Sequence, residues 1–200
     1  KNMLKPGLIS YLLFIMLMNT RCGDRQTPAC QGHDLSWNSL PPLPDSTGFA
    51  GSFAGVANGA LLVAGGSNFP DGGAPWKGSV KKWYDKIFVL ENKEGAWKET
   101  GRLPVPLGYG VSISTNDGMV IVGGSNEKGH VANVWRIQYK EGKILTDTLP
   151  SLPFPLANSC GALLDNKILV AGGLVAPDSP ATSNAFLMLD LSIPRSRWKT

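Results

Sequence analysis

Two asparagines occupy equivalent positions in a short motif that occurs twice. Asn68 and Asn126 each end the tetrapeptide Gly-Gly-Ser-Asn. An asparagine side chain donates and accepts hydrogen bonds, so a pair of them can bind the hydroxyl groups of a polar ligand. Asparagine also tolerates a left-handed backbone and is common in turns. The motif therefore predicts either a ligand-binding surface or a repeated turn.

Residues that bind metals are scarce in this sequence. Its three cysteines and two histidines include no Cys-x-x-Cys pair, so we predict no zinc site and no other metal centre. Cys160 lies in an apolar run and is predicted to be a small buried side chain, although a disulfide with Cys30 stays open. His130 is interpreted as a solvated loop residue.

The charge pattern excludes some classes of partner. The formal net charge is +4, and the basic residues are scattered. No basic stripe is interleaved with aromatic residues, so we predict no nucleic-acid partner. A mild positive balance favours a small anionic ligand. Hydrophobic residues make up 42% of the chain and charged residues 17%, which is typical of a globular protein.

The first 22 residues have the pattern of a secretory signal peptide. Lys1 and Lys5 precede an apolar run over residues 8–18. This run is shorter than the roughly 20 apolar residues that span a bilayer, so we predict no stable membrane span. The polar residues 23–35 are predicted to form a tether.

Cys22 follows the apolar run at a distance that suits a bacterial lipoprotein. However, Arg21 stands where a lipid-attachment signal has a small residue. Two alternatives stay open: a lipid anchor at Cys22, or cleavage by an ordinary signal peptidase with Cys22 incidental.

A repeat organises the rest of the chain. Glycine pairs begin at residues 65, 123 and 172, and each pair closes a run of β-prone residues. Another such run precedes each of these, over residues 51–57, 108–115 and 158–164. A third run follows each pair, over residues 86–90, 133–137 and 185–189. Glycine has no Cβ, so each pair lets neighbouring units pack closely where the strand turns.

Tryptophans and Leu-Pro segments complete the repeat. Trp97 and Trp198 follow the third run of their units, and Leu-Pro segments lie at residues 37–44, 97–106 and 149–155. Four short strands in a unit of about 50 residues with a glycine pair are typical of kelch repeats. The predicted fold is all-β, a partial kelch-type β-propeller over residues 36–200.

The segment over residues 37–44 precedes the first glycine pair, so we expect it to be a strand that closes the ring with the last blade. Only three blades are predicted, whereas propellers need at least four. We therefore expect the native ring to continue beyond Thr200. We also expect this piece to fold poorly alone, because an open arc exposes two apolar blade faces.

Several segments resemble one family of kelch enzymes. The matching stretches are residues 53–70, 81–85, 106–112 and 123–126. They resemble the N-acetylneuraminate epimerases, also called sialic acid mutarotases, which are six-bladed kelch propellers. In those enzymes the matching blades lie near the C-terminus, so this chain resembles the cyclically permuted branch of the family.

The resemblance implies that the full protein interconverts the anomers of N-acetylneuraminic acid or a related sugar. It implies an acidic sugar as the small-molecule partner, no cofactor, and a location in the periplasm. The alternative is a kelch module without catalytic activity that binds a glycan or a protein, because a fold does not fix a function.

The resemblance also indicates which residues contact the substrate. Lys82 is predicted to pair with the sugar carboxylate and Trp83 to pack against an apolar sugar face, with Asn68 and Asn126 binding hydroxyl groups. The alternative is that Lys81 and Lys82 form an exposed basic pair and that Trp83 covers the blade edge. Phe69 and Tyr109 are also candidates, although packing at the core or rim is the favoured interpretation for both.

The family's proposed proton acceptor is a glutamate that is followed six residues later by an arginine, in a loop after a glycine pair. Here Glu127 follows a glycine pair, but Asn133 stands six residues later. None of the three predicted blades carries the pair, so no catalytic residue is assigned in this chain. We expect the catalytic pair beyond Thr200.

Overall fold

The computed structural model describes residues 35–200, and residues from Ser39 to Thr200 form one compact unit. The chain forms antiparallel sheets joined by turns and loops, which confirms the all-β prediction. The sheet of the first blade consists of β1 (Phe53–Ala57), β2 (Ala60–Ala64), β5 (Lys86–Leu90) and β6 (Lys98–Arg102), which lie side by side in that order.

The other two blades repeat this pattern. The second contains β7 (Val111–Thr115), β8 (Gly118–Val122), β11 (Val134–Lys140) and β12 (Lys143–Leu149). The third contains β13 (Cys160–Leu164), β14 (Lys167–Ala171) and β15 (Phe186–Asp190), and Lys199 forms a single bridge to Met188 at the place of a fourth strand.

Two short hairpins follow the glycine pairs of the first two blades. In the first blade β3 (Ser67–Asn68) pairs with β4 (Lys82–Trp83), and the loop between them contains a short 3-10 helix (Pro75–Lys77). In the second blade β9 (Ser125–Asn126) pairs with β10 (Gly129–His130). Among the described residues, no helix is long and apolar enough to cross a membrane.

Local sequence explains the tight turns within the blades. Asn58 and Gly59 join β1 to β2 and have φ angles of 50° and 79°. Positive φ at both central residues is the requirement of the two-residue turn that matches the twist of a β-hairpin, and Asn-Gly meets it best. Glu141 and Gly142 join β11 to β12 in the same conformation, with φ angles of 51° and 74°.

The blades pack side by side through their first strands. The backbone N–H groups of Ala54 and Val56 in β1 donate to the hydroxyls of Ser112 (3.2 Å) and Ser114 (2.8 Å) in β7. One buried apolar cluster joins the first and second blades, and another joins the second and third. This is the packing of neighbouring propeller blades.

The glycine pairs allow the close approach that the sequence predicted. Gly65 has φ +61°, and a Cβ there would collide with the carbonyl oxygen of Leu107 in the next blade. Gly123 has φ +60° and would collide in the same way with Leu156. The second glycine of each pair, Gly66 or Gly124, donates its N–H to that same carbonyl, at 2.7 and 2.8 Å respectively.

Two tryptophans connect the first and third blades to the Leu-Pro segments that precede them. The indole N–H groups of Trp97 and Trp198 donate to the carbonyl oxygens of Pro41 and Pro150, both at 2.8 Å. Residues 37–44 form no strand in the described structure, and their predicted pairing with the last blade stays a prediction, because that blade is not among the three described. A strand needs a hydrogen-bonded partner strand, and the contact of this segment is to the Trp97 indole instead.

The expectation for Cys160 is corrected. Cys160 is exposed rather than buried, because it lies on β13 at the edge of its sheet, where every residue is exposed. Its proposed disulfide partner Cys30 lies outside the described residues, as do the predicted signal peptide, the Cys22 anchor and nearly all of the tether.

Candidate functional site

The two hairpins form one surface at the ends of the second strands, beside the glycine pairs. A cleft of about 610 Å³ lies between them. It is lined by Lys82 and Trp83 from the first blade and by Asn126 from the second, so the structure brings together three of the four predicted binding residues. We call this the mouth cleft.

Two further clefts adjoin the mouth cleft. One, of about 450 Å³, is lined by Trp83, Tyr109, Asn126 and Asn158, and the other, of about 570 Å³, by Asn68 and Tyr109. Among the described residues, Lys81 alone lines all three clefts. A ligand in any of them therefore lies near its ammonium group.

The side chains of the mouth cleft give it positive charge. Lys81, Lys82 and Lys128 line it together with a single carboxylate, that of Glu127. Within residues 35–200, none of these lysines forms an ion pair. Uncompensated ammonium groups on a concave surface attract a small anion.

Asn68 is held by the protein itself. Its side chain is only 8% exposed. Its amide NH₂ donates to the carbonyl of Gly48 (2.9 Å), and its amide oxygen accepts from the hydroxyl of Tyr84 (2.8 Å). These contacts give Asn68 a structural role, and its contact with a ligand stays a prediction.

Asn126 has a different environment. Its amide oxygen accepts a hydrogen bond from the backbone N–H of Lys128 at 2.9 Å, which closes the short turn of the hairpin. Its NH₂ group forms no hydrogen bond with the described residues, and the side chain is half-buried on the wall of the mouth cleft. The side chain that lines the cleft therefore carries two N–H donors without a partner among the described residues.

Lys82 and Trp83 lie on the opposite wall. Lys82 is exposed, and its ammonium lies 5.3 Å from the centre of the Tyr84 ring. Trp83 is half-buried and meets the Tyr109 ring edge to face, with 5.7 Å between ring centres. Tyr109 fixes one side of the indole, and the rest of Trp83 lines the cleft.

Lys81 stands in a ring of aromatic side chains. Its ammonium lies 4.8 Å from the ring centre of Tyr109, 5.2 Å from that of Trp83 and 6.0 Å from that of Phe69. Cations are attracted to aromatic faces at these distances. The rings therefore restrain a side chain that is otherwise flexible.

Tyr109 occupies an unusual backbone conformation. It has φ +60°, in the left-handed region that bulky residues avoid. Gly51 and Asn158 stand at the same position of the neighbouring blades, with φ +65° and +55°. The Tyr109 N–H donates to the Gly51 carbonyl (2.8 Å) and the Asn158 N–H to the Tyr109 carbonyl (2.7 Å), so the three residues link the blades.

His130 is not the solvated loop residue that we expected. Its Nδ1 lies 3.1 Å from the Ser125 hydroxyl, and its Nε2 is buried without a hydrogen-bond partner among the described residues. Burial lowers the pKa of this imidazole. His130 is therefore predominantly neutral at neutral pH.

Lys81 and Tyr109 are the site residues that sequence reasoning underrated. Lys81 was covered by the basic-pair interpretation, and Tyr109 by the packing interpretation. One signal was available for Tyr109: in the aligned repeats, a bulky residue stands where the other two blades have glycine and asparagine, the residues that favour a left-handed backbone.

Comparison with known proteins decides the family. A model of the family described as N-acetylneuraminate epimerase matches residues 19–146. The chain belongs to the N-acetylneuraminate epimerase family. The matched region includes both hairpins and the mouth cleft, but it ends before the third blade.

Individual relatives agree with this assignment. The N-acetylneuraminate epimerase of Salmonella enteritidis PT4 is 38% identical over 157 residues, which cover 71% of this chain and 37% of that protein. The N-acetylneuraminate epimerase of Haemophilus influenzae is 36% identical over 126 residues, which cover 56% of this chain and 33% of that protein. The chain thus spans about a third of the length of these relatives.

A solved structure supports the fold. The structure of YjhT is 31% identical in sequence and superposes with a TM-score of 0.51, over 58% of this chain and 36% of that one. With the three antiparallel sheets, this similarity confirms the predicted β-propeller.

Proposed function

We propose that the full-length protein catalyses the mutarotation of N-acetylneuraminic acid or a closely related acidic sugar. The observation that carries this proposal is the mouth cleft, which gathers Lys82, Trp83 and Asn126 beside an excess of positive charge. Membership in the N-acetylneuraminate epimerase family supports the choice of substrate. The proposal concerns the whole protein, because this chain spans 37% of the Salmonella relative.

The lining of the cleft suits each part of such a substrate. The carboxylate is attracted by the ammonium groups of Lys81 and Lys82. An apolar face of the sugar packs on the Trp83 indole, as carbohydrate C–H groups do on aromatic rings. The free NH₂ of Asn126 donates to a hydroxyl or acetamido oxygen, and Asn68 supports the adjacent cleft through its bonds to Tyr84 and Gly48.

Mutarotation requires reversible opening of the sugar ring. A base removes the proton of the anomeric hydroxyl, the bond between the anomeric carbon and the ring oxygen breaks, and an acid protonates the ring oxygen. The open ketone then recloses on either face. The family resemblance implies that a glutamate and an arginine take part in this chemistry, and for Lys82, Trp83 and Asn126 in the mouth cleft we propose a role in binding the substrate.

The activity is tested with the full-length mature protein and freshly dissolved crystalline N-acetylneuraminic acid. Proton NMR at mildly acidic pH, where the spontaneous reaction is slow, follows the anomeric signals. We expect a faster approach to an unchanged anomeric equilibrium. If the folded protein does not accelerate the reaction but the sugar still binds, the protein is a glycan-binding kelch module instead.

We also propose that residues 1–22 export the protein across the inner membrane to the periplasm. The basic start and the apolar run over residues 8–18 support this proposal. Fusion of residues 1–35 to a reporter that is active only outside the cytoplasm tests export. Labelling with a radioactive fatty acid, compared between the native fusion and Cys22→Ser, separates a lipid anchor from ordinary cleavage.

A further inference from the structure

Tyr109 projects its phenol from a strained position at the junction of two blades. A left-handed conformation costs a bulky residue on the order of 1–3 kcal/mol, and residues that retain such strain cluster at functional sites. Gly51 of the first blade makes room for the ring, because a Cβ there would lie 2.7 Å from the Tyr109 Cδ1 atom. The position of the Tyr109 ring thus depends on the packing of both neighbouring blades.

The hydroxyl of Tyr109 accepts two hydrogen bonds from the protein and can itself donate one. The Lys81 ammonium and the Ser67 hydroxyl each donate to it, both at 3.3 Å. Ser67 is fully buried, so this donor is fixed in place. Because both contacts use the oxygen as acceptor, the phenolic proton is available to a ligand that Lys81 holds, and Lys81 lines the mouth cleft as well as both adjoining clefts.

The environment also favours loss of that proton. Burial raises the pKa of the phenol, but the hydrogen bonds from Ser67 and Lys81 and the charge of Lys81 outweigh burial, and the pKa of Tyr109 is lowered. A nearby cation stabilises the phenolate that forms when a tyrosine acts as an acid.

The chemistry of the proposed substrate brings these two side chains together at one carbon. N-acetylneuraminic acid is a 2-keto acid, so its carboxylate is attached directly to the anomeric carbon. If Lys81 binds that carboxylate, the anomeric hydroxyl and the ring oxygen lie within a few bonds of it. The Tyr109 hydroxyl, 3.3 Å from the same ammonium, then lies beside the reacting oxygens.

We propose that Lys81 anchors the sugar carboxylate and that Tyr109 is a catalytic acid and base for ring opening, a role that rests on the proposed function. Tyr109 gives its phenolic proton to the ring oxygen as the bond from that oxygen to the anomeric carbon breaks. The anomeric hydroxyl loses its proton to a water molecule and becomes the ketone oxygen.

Reclosure reverses these transfers on either face of the ketone. The former ring oxygen attacks the carbonyl carbon and returns its proton to the Tyr109 phenolate, while the ketone oxygen regains a proton from water. No net proton is consumed. Lys81 holds the carboxylate through both steps and stabilises the phenolate.

The test uses the full-length protein and NMR mutarotation kinetics over a range of sugar concentrations. Tyr109→Phe keeps the ring and removes only the hydroxyl, and we expect kcat to fall about 100-fold or more with KM within about threefold of the wild-type value. Lys81→Met removes the anchor, and we expect KM to rise about tenfold or more. Tyr139→Phe and Lys77→Met are matched controls away from the clefts, and both should keep wild-type kinetics.

The outcomes separate this inference from the proposed function. If the wild-type protein accelerates mutarotation and folded Tyr109→Phe does so at a similar kcat, the role of Tyr109 is wrong. If Lys81→Met leaves KM unchanged, the anchor is wrong. If the wild-type protein itself gives no acceleration, the proposed function fails, and the inference fails with it.

Discussion

The hairpins of the first and second blades share the tetrapeptide Gly-Gly-Ser-Asn but use its asparagine differently. In the first, the amide of Asn68 is bonded to Tyr84 and Gly48 and is almost fully buried. In the second, the amide oxygen of Asn126 closes a tight turn, and the side chain lines the mouth cleft with no other hydrogen bond to the described residues. The asparagine of the motif therefore stabilises the first blade, whereas in the second blade it is available to bind a ligand.

The serines of the motif differ in the same way. Ser67 donates to the hydroxyl of Tyr109, whereas Ser125 lies 3.1 Å from His130 Nδ1. The difference arises from the chain between the paired strands. A long loop in the first blade ends at Lys81 and Trp83 and carries them to the mouth, while the second hairpin turns within two residues. The repeated Gly-Gly-Ser-Asn motif gives both hairpins the same backbone start. The longer loop of the first hairpin adds the side chains of Lys81 and Trp83 to the cleft.

The largest loss of stability is expected for substitutions in the glycine pairs, which precede both hairpins. Gly65→Ala and Gly123→Ala should each destabilise the full-length protein by about 3 kcal/mol or more, because a Cβ would collide with the backbone of the next blade at a positive φ. Gly59→Ala is the matched control, since Gly59 has φ +79° but open space around it. It should cost about 1 kcal/mol. Urea denaturation measures all three, and equal losses would contradict the packing role.

The next largest effect is a difference in stability between alanine variants of the two asparagines. Asn68→Ala leaves the Tyr84 hydroxyl and the Gly48 carbonyl without their partner, so we expect a loss of about 1–3 kcal/mol. Asn126→Ala loses one exposed turn bond, and we expect a loss of about 0.5 kcal/mol or less. Thermal and urea unfolding of both variants provide the comparison. A larger loss for Asn126→Ala would reverse the assignment of roles.

For sugar binding, Asn126 is expected to be the more important of the two asparagines. We expect Asn126→Ala to weaken the binding of N-acetylneuraminic acid by about tenfold, the loss of one good hydrogen bond. Calorimetric titration measures the dissociation constant. Asn126→Asp is a useful second variant, because it retains the turn acceptor and replaces the donor with a negative charge. Unchanged affinity in both variants would remove Asn126 from the binding surface.

The smallest effect concerns His130. Burial lowers its pKa in the folded state, so the unfolded chain takes up the proton first as the pH falls below about 6.5. His130 therefore reduces stability on acidification, and its contribution is fully favourable only above that pH. The other titratable side chains that line the cleft with His130 are Lys81, Tyr109 and Glu127. They are the same in the wild-type protein and in the His130 variant, so a difference between the two proteins reports on His130.

The measurement for His130 compares urea denaturation at about pH 7.5 and about pH 5.5. His130→Asn should lose less stability than the wild-type protein between the two values. An identical loss would show that the imidazole does not titrate differently in the folded state.

Sequence reasoning was most successful where structure depends on local rules. The third strand of the first blade was predicted with the bounds that it has, Lys86–Leu90, because β-prone residues run continuously there. The glycine pairs were predicted with their physical reason, since a missing Cβ has a consequence at any blade contact. The fourth strand of the second blade was misplaced, because Lys143–Leu149 is largely exposed and polar and lacks an apolar pattern.

The site was harder to predict because it forms between blades. Tyr109 belongs to the second blade, and its hydroxyl meets Ser67 and Lys81 of the first. No local pattern joins residues so far apart in the chain. Lys82 and Asn126 were predicted from motif and resemblance, but the sequence could not show that Asn68 is braced by Tyr84. Contacts of this kind depend on how the blades pack.

The central claim is that the mouth cleft is where the full-length protein binds and interconverts an acidic sugar. The most direct measurement is NMR exchange between the α and β anomers of N-acetylneuraminic acid at equilibrium, with wild-type protein and with a Lys82→Ala/Asn126→Ala double variant. We predict that magnetisation transfers between the anomers with the wild-type protein, and that the folded double variant largely loses this transfer at the same sugar concentration. Equal transfer by both proteins would contradict the claim, because the reaction would then take place away from this cleft.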